Sequence, residues 1–143
     1  MPWLLGVGKV KMFDCAYIGD SIAVGLEQQD RRCEVHARVG AGSRFIVNNY
    51  SGKGGDTYTV ISIGSNDSDP ATVYRNAARL RASIDSRRVI WVLPYNREMA
   101  NILLRLIHRR YSRDTYVDLS SFRSNDNVHP RSYRNVSERI LSR

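Results

Sequence analysis

The segment Val89-Ile90-Trp91-Val92-Leu93 constrains the fold most, because every one of its residues is apolar. A strand with one face in solvent alternates apolar and polar side chains, whereas a strand covered on both faces has no polar position. Strands of the second kind occur in parallel sheets that carry helices on both sides. The segment therefore predicts an α/β fold with this strand buried in its centre.

Segments of strand character alternate with segments of helical character along the rest of the chain. This alternation is typical of right-handed βαβ units around a parallel sheet. At Asp69-Pro70, for example, Asp fits the N-cap and Pro the first position of a helix. Strands are predicted at 13–18, 33–39, 57–63, 89–93 and 115–119, and helices at 22–29, 43–48, 70–86, around 99–107 and from Pro130 onward.

We expect a single α/β domain over residues 1–143, built as a three-layer α/β/α sandwich. Residues 1–12 fit either an added strand or a loose arm. The apolar Trp3-Leu4-Leu5 within them favours packing against another surface, and a second subunit of a homo-oligomer is one candidate.

The chain is strongly basic, with a net charge of +8, and 19 of its 22 basic residues are arginines. An arginine excess is typical of proteins that bind nucleic acids or other anions. Here the arginines are dispersed, with short pairs such as Arg31-Arg32 and Arg109-Arg110, and no RNA-binding motif accompanies them. We expect a solvated basic surface rather than a nucleic-acid footprint, one that favours an anionic glycan or phospholipid.

Cys15 and Cys33 each lie in a predicted strand, and their spacing does not match a pair of metal ligands. We predict two small buried thiols in a reducing compartment, and neither a metal nor another cofactor. No apolar stretch approaches the roughly 20 residues that span a bilayer, and the first residues lack the features of a signal peptide. We expect a cytoplasmic protein, with carriage in a virion or non-classical export as alternatives.

Polar residues follow four of the predicted strands. Gly19-Asp20-Ser21 follows the first strand, Gly40-Ala41-Gly42 the second, Gly64-Ser65-Asn66-Asp67 the third, and Asp126-Asn127-Val128-His129-Pro130 comes after the fifth. In an open parallel sheet, ligands bind outside the carboxyl ends of the strands. These segments are therefore predicted to form one site.

The residues of these segments suit acyl transfer. A serine becomes a nucleophile only when a base takes its proton, and His129 is the candidate base for Ser21. Asp126, three residues before His129, fits the carboxylate that orients the imidazole. The N–H groups of Ser21 and Gly42 and the side chain of Asn66 could stabilise a developing oxyanion.

Neighbouring residues have simpler interpretations. Ser21 by itself would also fit a helix N-cap. The acidic residues Asp20 and Asp67 are expected to stabilise loops rather than to take part in chemistry. Tyr95 and Asn96 follow the fourth strand at the same edge and are candidates to line an acyl or alcohol pocket.

Gly-Asp-Ser near the N-terminus, Gly-x-Asn-Asp after the third strand and Asp-x-x-His-Pro near the C-terminus resemble the blocks of the SGNH hydrolases, also called the GDSL esterase/lipase family. The resemblance extends from Phe13 to Tyr133 and implies a flavodoxin-like sandwich with a five-stranded parallel sheet. It implies that Ser21, Asp126 and His129 form a catalytic triad. The implied oxyanion donors are Ser21, Gly42 and Asn66, with Gly40 as a rival to Gly42.

The chain departs from the family in reading Gly-Asp-Ser-Ile rather than Gly-Asp-Ser-Leu, and in being shorter, so lids are expected to be missing. An open site suits a short acyl group, such as an acetyl ester on a carbohydrate. The sequence thus predicts a metal-independent serine esterase. The alternatives are a lysophospholipase or thioesterase of the same family, a non-catalytic glycan-binding module, and a nucleic-acid-binding protein.

Overall fold

Residues 14–143 form a five-stranded, all-parallel sheet with the strand order β2-β1-β3-β4-β5. The computed structural model describes residues 14–143. Phe13 of the predicted first strand and the proposed arm at 1–12 therefore lie outside the described residues. The strands are β1 (Cys15–Gly19), β2 (Glu34–Ala37), β3 (Tyr58–Ser62), β4 (Arg88–Leu93) and β5 (Thr115–Asp118).

Within residues 14–143, five helices cover the two faces of the sheet, which confirms the expected three-layer sandwich. They are α1 (Ser21–Glu27), α2 (Ser43–Tyr50), α3 (Pro70–Ala82), α4 (Arg97–Arg110) and α5 (Tyr133–Leu141), with a short 3₁₀ turn at Leu119–Ser121. The core on one face includes side chains from α2, α3 and α4, and the core on the other includes side chains from α1 and α5. Within residues 14–143, none of the helices has the length and apolarity needed to cross a membrane.

Strand β4 occupies the buried position that its sequence predicts. Val89, Trp91 and Leu93 contribute to the core on one face, whereas Ile90 and Val92 contribute to the core on the other. All of these side chains are buried because helices pack on both faces. The polar edge of the Trp91 ring is also satisfied, since its Nε1–H donates a hydrogen bond to Asp114 Oδ2 at 3.0 Å.

The start of the last helix differs from the prediction. Pro130 does not open α5; it forms an isolated antiparallel bridge with Ser124. The helix begins at Tyr133, after the N-cap Ser132, whose hydroxyl accepts a hydrogen bond from the Asn135 N–H at 3.1 Å. Proline is common at the first position of a helix. Pro130 instead lies in the stem of the loop that precedes α5.

The prediction of two free thiols is wrong, because Cys15 and Cys33 are joined by a disulfide. The bond links the beginning of β1 to the residue before β2, and both cysteines are buried. Spacing in the sequence could not reveal this pair, because the proximity depends on β1 and β2 pairing in the sheet. The argument from free cysteines to a reducing compartment therefore no longer holds.

We predict that replacing both cysteines, Cys15→Ala/Cys33→Ala, lowers the free energy of unfolding by about 3 kcal/mol, because the disulfide closes a loop with a sequence separation of 18 in the unfolded chain. Urea denaturation of oxidised and variant protein measures this difference. A thiol reductant should destabilise the wild type by a similar amount and leave the variant unchanged. Equal stability of oxidised and reduced wild type would contradict the prediction.

Candidate active site

Ser21 lies at a tight junction between β1 and α1. Gly19, the last residue of β1, has φ of +146°, and a Cβ there would lie 1.9 Å from the Ser62 carbonyl oxygen of β3. Only glycine allows the two backbones to approach so closely. Ser21 is therefore the first residue of α1, at the carboxyl edge of the sheet and beside the end of β3. As a first helical residue, its N–H has no acceptor within the helix.

Asp20 has the structural role that the sequence predicts, and it, not Ser21, caps α1. Its Oδ1 accepts hydrogen bonds from the Ile22 N–H at 3.0 Å and from the Ser62 hydroxyl at 2.9 Å. The side chain is fully buried, and within residues 14–143 its Oδ2 has no hydrogen-bond partner. This burial raises the pKa of Asp20 to about 6, because a low-dielectric environment disfavours the charged carboxylate.

Ser21, His129 and Asp126 form a continuous hydrogen-bonded chain. Ser21 Oγ lies 2.9 Å from His129 Nε2, and His129 Nδ1 lies 2.8 Å from Asp126 Oδ2. Hydrogen bonds from the His129 side chain and from the His129 and Val128 N–H groups hold the pKa of Asp126 well below its usual range. The ionised carboxylate accepts a hydrogen bond from Nδ1–H, which leaves Nε2 as the acceptor for the Ser21 hydroxyl.

Ser124 organises the loop that carries Asp126 and His129, and the sequence reasoning missed it. Its hydroxyl donates to the His129 carbonyl at 2.6 Å and accepts from the Asn127 N–H at 2.9 Å. Asn127 adopts a left-handed conformation with φ of +59°, which Asn tolerates better than most residues. The signal was present in the polar turn residues Ser-Asn-Asp-Asn, which favour such local hydrogen bonds.

Asn66 and Asp67 tie the β3–α3 loop to the glycine turn after β2. The Asn66 side-chain amide donates to the Ala41 carbonyl at 3.1 Å, so one of its two hydrogens remains for another acceptor. Asp67 accepts from both the N–H and the hydroxyl of Ser43, at 3.0 and 2.9 Å. Asp67 is thus structural, as predicted, and these bonds position Gly42 next to Asn66.

The same contacts distinguish the two candidate glycines. A Cβ on Gly42 would lie 3.4 Å from Asp67 Oδ1 and 3.6 Å from the Asn66 carbonyl. Gly40 has φ of +80°, a backbone conformation that glycine adopts readily, and a Cβ on it would contact nothing within 4 Å. Gly40 therefore allows the chain to turn after β2. Gly42 is therefore the glycine beside Asn66, and its N–H donates no hydrogen bond within residues 14–143.

A groove of about 580 Å³ adjoins the Ser21–His129–Asp126 chain. Its wall includes Ser65 and Val128, the chain neighbours of Asn66 and His129, and also Tyr95 and Asn96, as predicted for a pocket. Phe122 forms another part of the wall, and its carbonyl accepts a hydrogen bond from the Tyr95 hydroxyl at 3.1 Å. The groove is thus lined by the same two loops that carry Asn66 and His129.

Solvent reaches the site directly. The His129 side chain is 43% exposed and that of Asp126 is 53% exposed, so no segment of residues 14–143 covers them. The three side chains of residues 14–143 that are spaced like metal ligands lie elsewhere: they are Cys15, Asp30 and Cys33, near the amino end of β1. Two of their three ligand atoms are the sulfurs of the disulfide, which are not free thiolates for a metal.

Comparison with known proteins identifies the fold. A proposed acylhydrolase from Bacteroides fragilis aligns with a TM-score of 0.65 at 18% identity, over 89% of this chain and 83% of its own. The C-terminal catalytic domain of peptidoglycan O-acetyltransferase A from Streptococcus pneumoniae, solved with a methylsulfonyl adduct, aligns with a TM-score of 0.60 at 17% identity, over 92% and 93% of the two chains. The sequence matches no protein-family model and no curated protein. The flavodoxin-like α/β fold expected from the sequence is thereby confirmed.

The buried Asp20 generates a prediction on stability and pH. Its pKa is raised in the folded protein from 3.8 to about 6, so the folded state holds this proton more tightly than the unfolded state does. The stabilisation is complete below about pH 4 and is lost as the pH rises through about 6, and its size is about 3 kcal/mol.

Asp20→Asn keeps an oxygen acceptor for Ile22 and Ser62 but does not titrate. Urea denaturation at pH 4 and at pH 7 should therefore show that the wild type loses about 3 kcal/mol more stability than the variant over this range. An identical pH dependence of wild type and Asp20→Asn would show that Asp20 titrates normally.

Proposed function

We propose that this protein is a serine esterase that cleaves carboxylic esters through an acyl-enzyme. The observation that carries the proposal is the hydrogen-bonded chain from Ser21 through His129 to an ionised Asp126. An isolated serine is a poor nucleophile, and this arrangement supplies both the base and the group that orients the base. We therefore assign Ser21, His129 and Asp126 as a catalytic triad.

The proposed reaction has two steps, and in each step His129 takes one proton and returns it. Ser21 Oγ attacks the ester carbonyl while His129 Nε2 takes the hydroxyl proton, and the tetrahedral intermediate collapses when His129 returns that proton to the leaving alcohol. Water then attacks the acyl-enzyme with His129 again acting as base. The carboxylic acid leaves and the Ser21 hydroxyl is restored.

The oxyanion of the tetrahedral intermediate needs fixed donors. The proposed donors are the N–H groups of Ser21 and Gly42 and the second hydrogen of the Asn66 side-chain amide. The hydrogen bond from Asn66 to Ala41 and those from Ser43 to Asp67 hold two of these donors in place before substrate arrives. Donors that need no rearrangement are effective, and the loss of one typically costs about 2.7–4 kcal/mol of barrier.

The structural neighbours support acyl chemistry on this fold. One is a proposed acylhydrolase and the other is the catalytic domain of a peptidoglycan O-acetyltransferase. Hydrolysis and acyl transfer share the acyl-enzyme and differ in whether water or a second hydroxyl accepts the acyl group. Because the triad lies open to water, we favour hydrolysis for this chain.

We propose a short acyl group, such as acetyl, on a carbohydrate as the substrate. Six of the ten residues that line the groove beside the triad are Ser, Asn or Arg, namely Ser65, Asn96, Arg97, Ser120, Ser124 and Asn127. Hydroxyl and amide groups can bind the hydroxyls of a sugar, whereas a long acyl chain needs a mainly apolar channel. This composition favours an esterase for acylated glycans over a lysophospholipase or thioesterase.

We predict that a fluorophosphonate probe adds one probe mass to the wild type and none to Ser21→Ala, because only an activated serine displaces fluoride from the probe. Intact-mass spectrometry measures the adduct. Ser112→Ala, at an exposed serine just beyond α4, is the matched control and should be labelled like the wild type. Absence of an adduct on folded wild type would favour the non-catalytic glycan-binding alternative.

We also predict that kcat/KM for 4-nitrophenyl acetate exceeds that for the octanoate ester by about tenfold or more, because Ser, Asn and Arg side chains interrupt the apolar part of the groove that a long chain would need. Initial rates measured below the solubility limit of the octanoate ester test this. Ser21→Ala provides the background rate for each ester. Faster octanoyl turnover would overturn the short-acyl assignment and favour the lipid or thioester alternatives.

A further inference from the structure

A second cavity, of about 540 Å³, adjoins the triad groove at Phe122. Phe122 is the one residue of the described chain that lines both of these cavities. The remaining lining residues of the second cavity are Ser121, Arg123, Arg131, Ser132 and Asn135. We call this space the arginine cavity.

The charge of the arginine cavity is entirely positive. Arg123 and Arg131 line it, no acidic side chain does, and neither guanidinium forms an ion pair with a carboxylate of residues 14–143. Arg139 of α5 does not line the cavity, but its guanidinium lies 5.0 Å from the centre of the Phe122 ring. Three other arginines of residues 14–143 are paired with carboxylates, namely Arg32 with Asp30, Arg81 with Asp114 and Arg97 with Asp118.

The backbone holds the two lining arginines opposite each other. The Arg131 N–H donates to the Arg123 carbonyl at 2.8 Å, and the adjacent residues Ser124 and Pro130 form the bridge of the loop stem. This is the stem of the loop that carries Asp126 and His129. The backbone of both arginines therefore has a defined position relative to the triad, whereas their side chains are exposed and their guanidinium groups are open to a ligand.

We propose that the arginine cavity binds an oxyanion carried by the alcohol part of the substrate, so that the substrate is an acidic acylated glycan. The proposal rests on the proposed esterase function. Guanidinium groups bind carboxylate, phosphate and sulfate through paired hydrogen bonds, and two unpaired guanidiniums in one cavity suit such a group. A sugar chain that passes Phe122 would place its ester in the triad groove and its anionic group in this cavity.

The first experiment measures binding without turnover. The Ser21→Ala variant is titrated with a galacturonate trisaccharide, with the matching neutral galactose trisaccharide and with inorganic phosphate, at a fixed ionic strength of about 0.15 M. Amide shifts of residues 121–135 in NMR spectra report binding. We expect saturable shifts with the acidic sugar, at least tenfold weaker binding of the neutral sugar, and a phosphate response that shows whether the anion alone suffices.

Charge-matched variants separate a local site from general attraction. On the Ser21→Ala background, Arg123→Gln/Arg131→Gln should weaken binding of the acidic sugar at least tenfold. Arg87→Gln/Arg109→Gln, at exposed arginines distant from the cavity in the sequence, should bind like the parent. Equal losses in both pairs, or a preference for the neutral sugar, would overturn the proposal, as would shifts confined to other residues.

Kinetics on the active enzyme completes the test. The ratio of kcat/KM for an O-acetylated galacturonate oligosaccharide to that for an O-acetylated neutral one should fall at least tenfold in Arg123→Gln/Arg131→Gln and stay constant in Arg87→Gln/Arg109→Gln. An unchanged ratio in the first pair overturns the proposal. If the acidic sugar binds and neither ester is hydrolysed, the esterase function fails while the cavity assignment stands; if esters are hydrolysed without acidic-sugar binding, the cavity assignment alone fails.

Discussion

The close approach of β1 and β3 at their carboxyl ends is the constraint on which the rest of the site depends. Gly19 lies against the Ser62 carbonyl at a distance that no side chain permits, and the buried Asp20 joins the two strand ends through Ser62. This junction determines where α1 begins and therefore where Ser21 lies. It also explains why an energetically costly buried carboxyl group is present: it replaces the hydrogen bonds that the turn would otherwise lack.

The site is built from loops that brace one another rather than from a covering lid. Asn66 and Asp67 hold the glycine turn after β2, while Ser124 holds the backbone around Asp126 and His129. Such hydrogen bonds hold the proposed oxyanion donors and the imidazole of the proposed triad in place, which is the arrangement that electrostatic stabilisation of a transition state requires. The side chains of Asp126 and His129 are therefore exposed to solvent while the loops that carry the site are held by hydrogen bonds.

Charge is distributed unevenly around the loop that bears His129. Asp126 provides negative charge at one end of the imidazole, whereas Arg123 and Arg131 provide positive charge at the stem of the same loop. The excess of arginine, which composition alone suggested to be a general solvated surface, thus includes members with a defined position beside the site. A basic surface of this kind also attracts anionic substrates over distances of about a Debye length.

The sequence by itself determined the features that depend on neighbours in the chain: the buried β4, the order of strands and helices, and the Ser21, Asn66, Asp126 and His129 segments at strand ends. These signals are local because periodicity and turn chemistry act over a few residues. Only the tertiary structure decided that Cys15 and Cys33 form a disulfide, that Gly42 rather than Gly40 lies beside Asn66, and that Arg123 and Arg131 are joined by a backbone hydrogen bond across the loop stem. Each of these joins segments whose proximity depends on how strands pair and loops fold back, and that geometry exists only once the sheet has formed.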